Sequence, residues 1–221
     1  MTYIKICGIK EEKHALAAAK AGADFIGLVF APSPRRINLE QARKIAMAVK
    51  NSGYPTELVG IFVNFHAATV NGIADNCYLD RVQLSGDESW EYCHDINRPV
   101  IKTVRLKRGQ SAAETNACLA EGAKVLSQQK FNFLLDAQVR GKYGGTGKVL
   151  DWNLAGQVAR EYPVFLAGGL TPENVTQALK KVAPWGVDVS SGVEVSGGKH
   201  VARIKAFIEA VRRFDEHGKQ A

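Results

Sequence analysis

The chain has 221 residues, of which 46% are hydrophobic and 23% charged, a composition that supports a buried core and excludes a disordered or collagen-like polymer. Lysine and arginine number 29 against 22 aspartates and glutamates; the net charge of +7 favours anionic ligands without naming one. No apolar run approaches the roughly 20 residues of a membrane-spanning helix, and Met1-Thr2-Tyr3-Ile4-Lys5 passes into a strand-like pattern without a signal peptide, so a cytoplasmic protein with no membrane partner is expected.

Read for hydrophobic period, one unit recurs: a short β-branched or apolar run, a turn with Gly, Pro or Ser, then a helix-period segment. A first strand over 3–6 is followed by a helix over 11–21. Strand two, 25–30, precedes a helix over 39–50, and strand three, 57–62, one over 66–75. After strand four, 81–84, the helical pattern at 89–95 is short and the weakest of the set. Strand five, 100–104, leads to a helix over 111–121, and strand six, 133–136, to one over 153–161. Strand seven, 164–167, leads to a helix over 172–182, with Thr171 as its cap, Pro172 in its first turn and Glu173 complementing its dipole. Strand eight, 186–189, leads to a last helix over 201–216.

Strand and helix alternate throughout, and every connection is long enough for a right-handed crossover, so the pattern predicts an α/β fold with an all-parallel sheet covered by helices. Eight such units fit a single (β/α)8 TIM barrel, one domain over residues 1–221. A doubly wound open sheet competes, but it rarely runs to eight regular repeats, and its usual G-x-G-x-x-G after the first strand is absent. In a barrel, chemistry belongs to the loops at the C-terminal ends of the strands.

That rule selects Cys7 after strand one, Arg35 and Arg36 after strand two, Asp136 ending strand six, Gly168 and Gly169 after strand seven, and Ser190, Ser191 and Gly192 after strand eight. Glycine turns let backbone N–H groups approach an anion closely, so a phosphorylated small-molecule substrate is the first expectation. The plainer reading, tight strand-to-helix turns, is weakened by two such turns on adjacent strands. Cys7 shares the parity of Tyr3 and Lys5, while Ile4 and Ile6 point the other way, towards the helices. Lys5 is then inside the barrel, where a charge needs a partner, and Asp188 on the neighbouring eighth strand is the candidate. Asp136 ends the apolar run Phe133-Leu134-Leu135, and a carboxylate desolvated at the rim has a raised pKa and serves as a general acid. Standing without the rest it reads as a cap. With strands seven and eight between strands one and six, Cys7 and Asp136 face one another across the mouth, with a sugar phosphate between.

Other features carry blander readings. The stretch 141–148, Gly141-Lys142-Tyr143-Gly144-Gly145-Thr146-Gly147-Lys148, lacks P-loop spacing and fits a mobile lid. Lys102, Arg105, Lys107 and Arg108 lack aromatic interleaving and read as a solvated rim, not a nucleic-acid surface. The four cysteines show no C-x-x-C pair and the five histidines no ligand spacing, so neither a disulfide framework nor a metal is expected. Cys77, Cys93 and Cys118 read as small buried hydrophobes. Gly197-Gly198-Lys199 before His200 either helps hold phosphate or starts the last helix. Outward helix faces suit a monomer and a homodimer alike.

Several motifs occur together: Lys5-Ile6-Cys7-Gly8-Ile9, Ser33-Pro34-Arg35, Val82-Gln83-Leu84, Gly144-Gly145-Thr146-Gly147 leading to Asp151-Trp152, Ala167-Gly168-Gly169-Leu170, and Asp188-Val189-Ser190-Ser191-Gly192-Val193-Glu194. In this order, and over nearly the whole chain, the set resembles the phosphoribosylanthranilate isomerases of tryptophan biosynthesis. The resemblance implies an Amadori rearrangement without cofactor or metal. It implies Asp136 as general acid on the ring oxygen, Cys7 as general base at C2, and Arg35 as holder of the anthranilate carboxylate. It also places Gln83, Gly168, Gly169, Asp188, Ser190, Ser191 and Gly192 at the substrate. A thiol of pKa about 8.5 would need only a modest depression for this task.

Two positions depart from the family pattern: Ser85 stands where His often follows Gln-Leu, and Lys10 where Thr is usual. Ser85 keeps a hydrogen bond but does not titrate near neutrality. The competing enzymes are the related isomerase of histidine biosynthesis and a bifunctional enzyme of both pathways, which would be expected to carry aspartate in place of Cys7. A non-catalytic polyanion-binding protein is motivated by the net charge alone.

Overall fold

The computed structural model of the chain describes residues 1–107, 109–137 and 150–218. The glycine-rich stretch expected to form a lid and Arg108 lie outside the described residues. Eight parallel strands close into a barrel in sequence order: β1 (Tyr3–Cys7), β2 (Phe25–Val29), β3 (Glu57–Phe62), β4 (Arg81–Leu84), β5 (Val100–Leu106), β6 (Phe131–Ala137), β7 (Val164–Leu166) and β8 (Gly186–Val189). β8 returns to β1 with Asp188 opposite Lys5, which closes the ring. The expected TIM barrel is therefore the observed architecture.

The outer layer consists of α1 (Glu12–Ala21), α2 (Leu39–Asn51), α3 (Ala67–Asn76), α4 (Ala112–Val125), α5 (Trp152–Ala159), α6 (Val175–Val182) and α7 (Val201–His217). Local chemistry fixes several starts. Asn38 with Gln41 and Ser111 with Glu114 form reciprocal capping boxes for α2 and α4. The Asp151 carboxylate accepts from the N–H groups of Asn153 and Leu154 at the head of α5.

Two helices depart from the sequence reading for reasons visible in their contacts, and others differ at their ends, with α4 running on to Val125. The fourth crossover contains only a 3-10 turn, Glu91–Asp95. There the Trp90 indole occupies the outer layer against Gly122 of α4, where a Cβ would lie 2.8 Å from the ring, and meets Phe133 edge-on at 5.8 Å. The helix after β7 begins at Val175, not Pro172. Asn174 accepts from the Thr171 N–H at 2.8 Å and donates to the Gly169 carbonyl at 2.9 Å, so the Thr171 and Pro172 signals act on a preceding turn tied to the β7 loop.

Strand parity sorts the core into layers. Outward residues such as Ile4, Ile6, Leu28, Val82 and Leu135 pack under the helices. Inside the barrel, Phe25, Val59, Ile101, Leu134, Phe165 and Ala167 form one cluster. Its lower end is closed by Tyr3 stacked on Trp185 with ring centroids 4.1 Å apart, and by Arg81, which lies over Phe25 and pairs with Glu57. The upper layer divides. Cys7, Val29, Ala31, Ile61 and Val63 make an apolar wall on β1 to β3, and polar side chains from β4 to β6 face it. Among the described residues, no helix is long and apolar enough to cross a membrane.

Candidate active site

The cavity at the C-terminal mouth of the barrel takes in Cys7, Arg35, Gln83, Asp136, Gly168, Gly169, Asp188, Ser190 and Ser191. Two expected positions stand apart from it. Arg36 is exposed and does not line the cavity. Gly192 lies behind the wall, where a Cβ would meet the Leu170 carbonyl oxygen at 1.8 Å; its role is to let the β7 and β8 loops touch.

Cys7 is the last residue of β1 and points inward, two residues above Lys5. The fully buried Lys5 ammonium donates to Asp188 Oδ1 at 2.9 Å across the closing seam. Burial opposes the Lys5 charge, but Asp188 and the neighbouring Cys7 outweigh it and hold the pKa above the ordinary lysine value. Burial also pushes the Cys7 thiol up, against the pull of Lys5 and Lys199. The modest depression expected for this thiol is thus absent, because desolvation exceeds the nearby positive charge. A cationic intermediate beside the sulfur would supply what these lysines do not.

Asp136, near the end of β6, is almost wholly buried, and burial pushes its pKa up to about 6; the Ala137 N–H bond opposes the rise, while the Asp188 charge adds to it. A raised carboxyl at a barrel mouth is what a general acid requires.

Between these groups runs a polar wall. Gln83 Nε2 donates to Ser85 Oγ at 3.0 Å, and Ser85 Oγ lies 2.9 Å from Thr103 Oγ1. Gln83 Oε1 is buried without a hydrogen-bond partner among the described residues, an acceptor left for a ligand hydroxyl. Arg105 lines the cavity and donates to the Ser85 carbonyl. Its partner in the expected solvated rim, Lys102, faces the other way and is buried against Glu88 at 2.8 Å. The rim reading fails for both because β5 runs on to Leu106, so their side chains follow strand parity and not a loop. Thr103 and Arg105 were not selected from sequence, although the inward parity of Ile101 extended two and four residues finds them.

The β7 and β8 loops present backbone to the mouth of the barrel. Gly168 and Gly169 adopt φ of +85° and +66°, in the left-handed region that favours glycine. The N–H groups of Gly168, Gly169, Ser191 and Gly192 donate to no acceptor among the described residues. Unpaired N–H groups at the β7 and β8 loops form the donor set that phosphate-binding barrels use. Beside the β8 loop, Arg35 reaches the cavity while pairing with Glu194. Lys199 sits on a two-strand hairpin, β9 (Glu194–Val195) and β10 (Gly198–Lys199), before α7, and donates to Ser190 and Glu194.

A family model described as N-(5'phosphoribosyl)anthranilate (PRA) isomerase matches residues 4–210. The chain belongs to that family. An N-(5'-phosphoribosyl)anthranilate isomerase of Dehalococcoides mccartyi is 48% identical over 215 residues, covering 97% of this chain and 98% of its own. One from Pseudomonas fluorescens is 47% identical over 214 residues, covering 96% of each. Among solved structures, PRA isomerase from Thermotoga maritima superposes with a TM-score of 0.80 at 35% identity, covering 96% of this chain and all of that one. A PRA isomerase in complex with reduced 1-(o-carboxyphenylamino)-1-deoxyribulose 5-phosphate superposes with a TM-score of 0.78 at 34% identity, with the same coverage.

Proposed function

We propose that the protein converts N-(5'-phosphoribosyl)anthranilate to 1-(2-carboxyphenylamino)-1-deoxyribulose 5-phosphate, the Amadori step of tryptophan biosynthesis. The observation that carries the reading is the placement of Cys7 and Asp136 in one cavity, lined also by Gly168, Gly169 and Ser191, whose N–H groups are unpaired among the described residues. The phosphate lies on those N–H groups, and Arg35 takes the anthranilate carboxylate, a task suited to a planar fork of donors.

In the first step protonated Asp136 donates to the furanose ring oxygen, the C1–O bond breaks, and the anilino nitrogen's lone pair forms a C1 iminium. Cys7 then removes the C2 proton, whose electrons flow into C1–C2 and neutralise the nitrogen. The resulting enolamine tautomerises to the ketone. The iminium charge acidifies the C2 proton and favours the Cys7 thiolate, which offsets the upward push of burial. Gln83 and its Ser85 and Thr103 partners bound the sugar side, with the Gln83 acceptor for a ribosyl hydroxyl.

The reading is tested by introducing the gene into a bacterium that lacks this isomerase and requires tryptophan. Growth without tryptophan supports it, and failure with soluble protein present contradicts it. Cys7, where the histidine-pathway isomerase would carry aspartate, argues against a second sugar substrate; no rescue of a histidine requirement is expected.

A further inference from the structure

Arg35 does not enter the cavity as a loose side chain. Its Nε and Nη2 donate to Glu194 Oε1 and Oε2 at 2.7 and 2.8 Å, so one edge of the guanidinium is clamped. The other amino group, Nη1, makes no hydrogen bond among the described residues. The floor beneath is Gly8, at φ +76°, where a Cβ would lie 2.5 Å from Arg35 Cδ and 3.2 Å from Ser190 Oγ. Glu194 Oε1 also accepts from Lys199 Nζ at 2.7 Å across the β9–β10 hairpin. Lys199 donates in turn to the Ser190 carbonyl at 2.8 Å and Oγ at 3.2 Å, and Ser190 Oγ donates to the Cys7 carbonyl at 3.1 Å. The three charged side chains are 18%, 11% and 3% exposed for Arg35, Glu194 and Lys199.

The charges explain why both partners are present. Glu194 alone would fix Arg35 but cancel its charge and repel an incoming carboxylate. Glu194 shared between two cations leaves the cluster with one positive charge and a guanidinium whose free edge is already oriented. Neither group gives or takes a proton in the proposed reaction, although the Lys199 charge also favours ionisation of Cys7.

We propose that Glu194 and Lys199 are positioning residues for Arg35, presenting its Nη1 edge to the aryl carboxylate of the substrate while Lys199 ties the same cluster to the β8 loop beside Cys7. The inference rests on the isomerase reading and names how that site recognises the anthranilate end.

The test is steady-state kinetics on the whole protein with N-(5'-phosphoribosyl)anthranilate, comparing Glu194→Gln, Arg35→Ala and the double variant. Glu194→Gln is expected to raise KM about tenfold with kcat held within about threefold, and to change KM by less than about twofold once Arg35 is already alanine. Lys199→Met is expected to raise KM similarly, and Lys199→Arg to recover most of the loss, because the charge and not the chain length is required. Inorganic phosphate affinity, measured by calorimetry on Glu194→Gln and Arg35→Ala, is expected to stay within about twofold, since neither side chain bonds to the residues that carry the N–H donors. Equal effects of Glu194→Gln with and without Arg35, or a fall in kcat alone, overturn the proposal while leaving the reaction in place. A folded parent that does not turn over substrate overturns the reaction and this inference together.

Discussion

Lys5 and Asp188 form an ion pair at 2.9 Å, directly opposite one another where β8 meets β1. The pair stands beside the thiol: Lys5 carries the positive charge that most opposes the burial-driven rise of Cys7. Replacing Lys5 by Met strands the Asp188 carboxylate, and a loss of about 3–5 kcal/mol in urea unfolding is expected. Combining Lys5→Met with Asp188→Leu removes both charges and is expected to recover most of that stability, but not activity, because the thiol then has less help in ionising. Recovery of activity along with stability would show that the pair serves the fold alone.

Asp136 sets a pH dependence with a definite sign. Its folded pKa of about 6 lies above the ordinary 3.8, so the native state binds the proton more tightly than the unfolded chain does. Burial of the carboxyl costs no charge below about pH 4, where both states hold the proton; the penalty grows as pH rises to about 6 and levels off above it at about 3 kcal/mol. Asp136→Asn is therefore expected to be more stable than the parent at pH 8 and not at pH 3.5, as unfolding curves at the two pH values will show. A variant equally stable or less stable at pH 8 contradicts the assignment of a desolvated carboxyl.

The same two groups shape the rate profile. Cys7 titrates above its ordinary value and Asp136 at about 6, so a protonated acid beside a thiolate is a minor form of the free protein, present in constant proportion between the two pKa values. A plot of kcat/KM against pH is expected to rise to about 6 and hold a plateau into the alkaline range where the thiol titrates. A maximum below pH 6 would contradict it.

The barrel was legible because strand signals recur with little ambiguity; β3, β4 and β8 occupy the expected residues, and the others differ at their ends. The catalytic candidates were legible because Cys7 and Asp136 lie at strand ends, where parity and position carry the information. What escaped is tertiary in origin. The short fourth crossover reflects an indole seated over Gly122, a contact between segments far apart in sequence. The late start of α6 reflects the reach of Asn174 back to Gly169. Lys102 and Arg105 looked like a basic patch because β5 is longer than its apolar run, and their burial depends on Glu88 and the cavity, which no local pattern announces. Glu194 stood at the end of a quoted motif, but only the fold brings it to Arg35.

Gly192 tests the anion side. A methyl group there would meet the Leu170 carbonyl oxygen at 1.8 Å, so Gly192→Ala must part the β7 and β8 loops that carry the N–H donors. The dissociation constant for inorganic phosphate, measured by calorimetry, is expected to rise about tenfold or more, with the barrel still folded by circular dichroism. Unchanged phosphate affinity would place the anion elsewhere.

The most direct measurement follows the loss of N-(5'-phosphoribosyl)anthranilate fluorescence, with the substrate generated in situ, for the parent protein, Cys7→Ser and Asp136→Asn, each checked for folding. The parent is expected to consume the substrate, and both folded variants to fall by about 10²–10⁴ in kcat, the usual contribution of a positioned acid or base. A folded parent that leaves the fluorescence unchanged, or a variant that keeps the parental rate, contradicts the pairing of Cys7 and Asp136 as base and acid across this cavity.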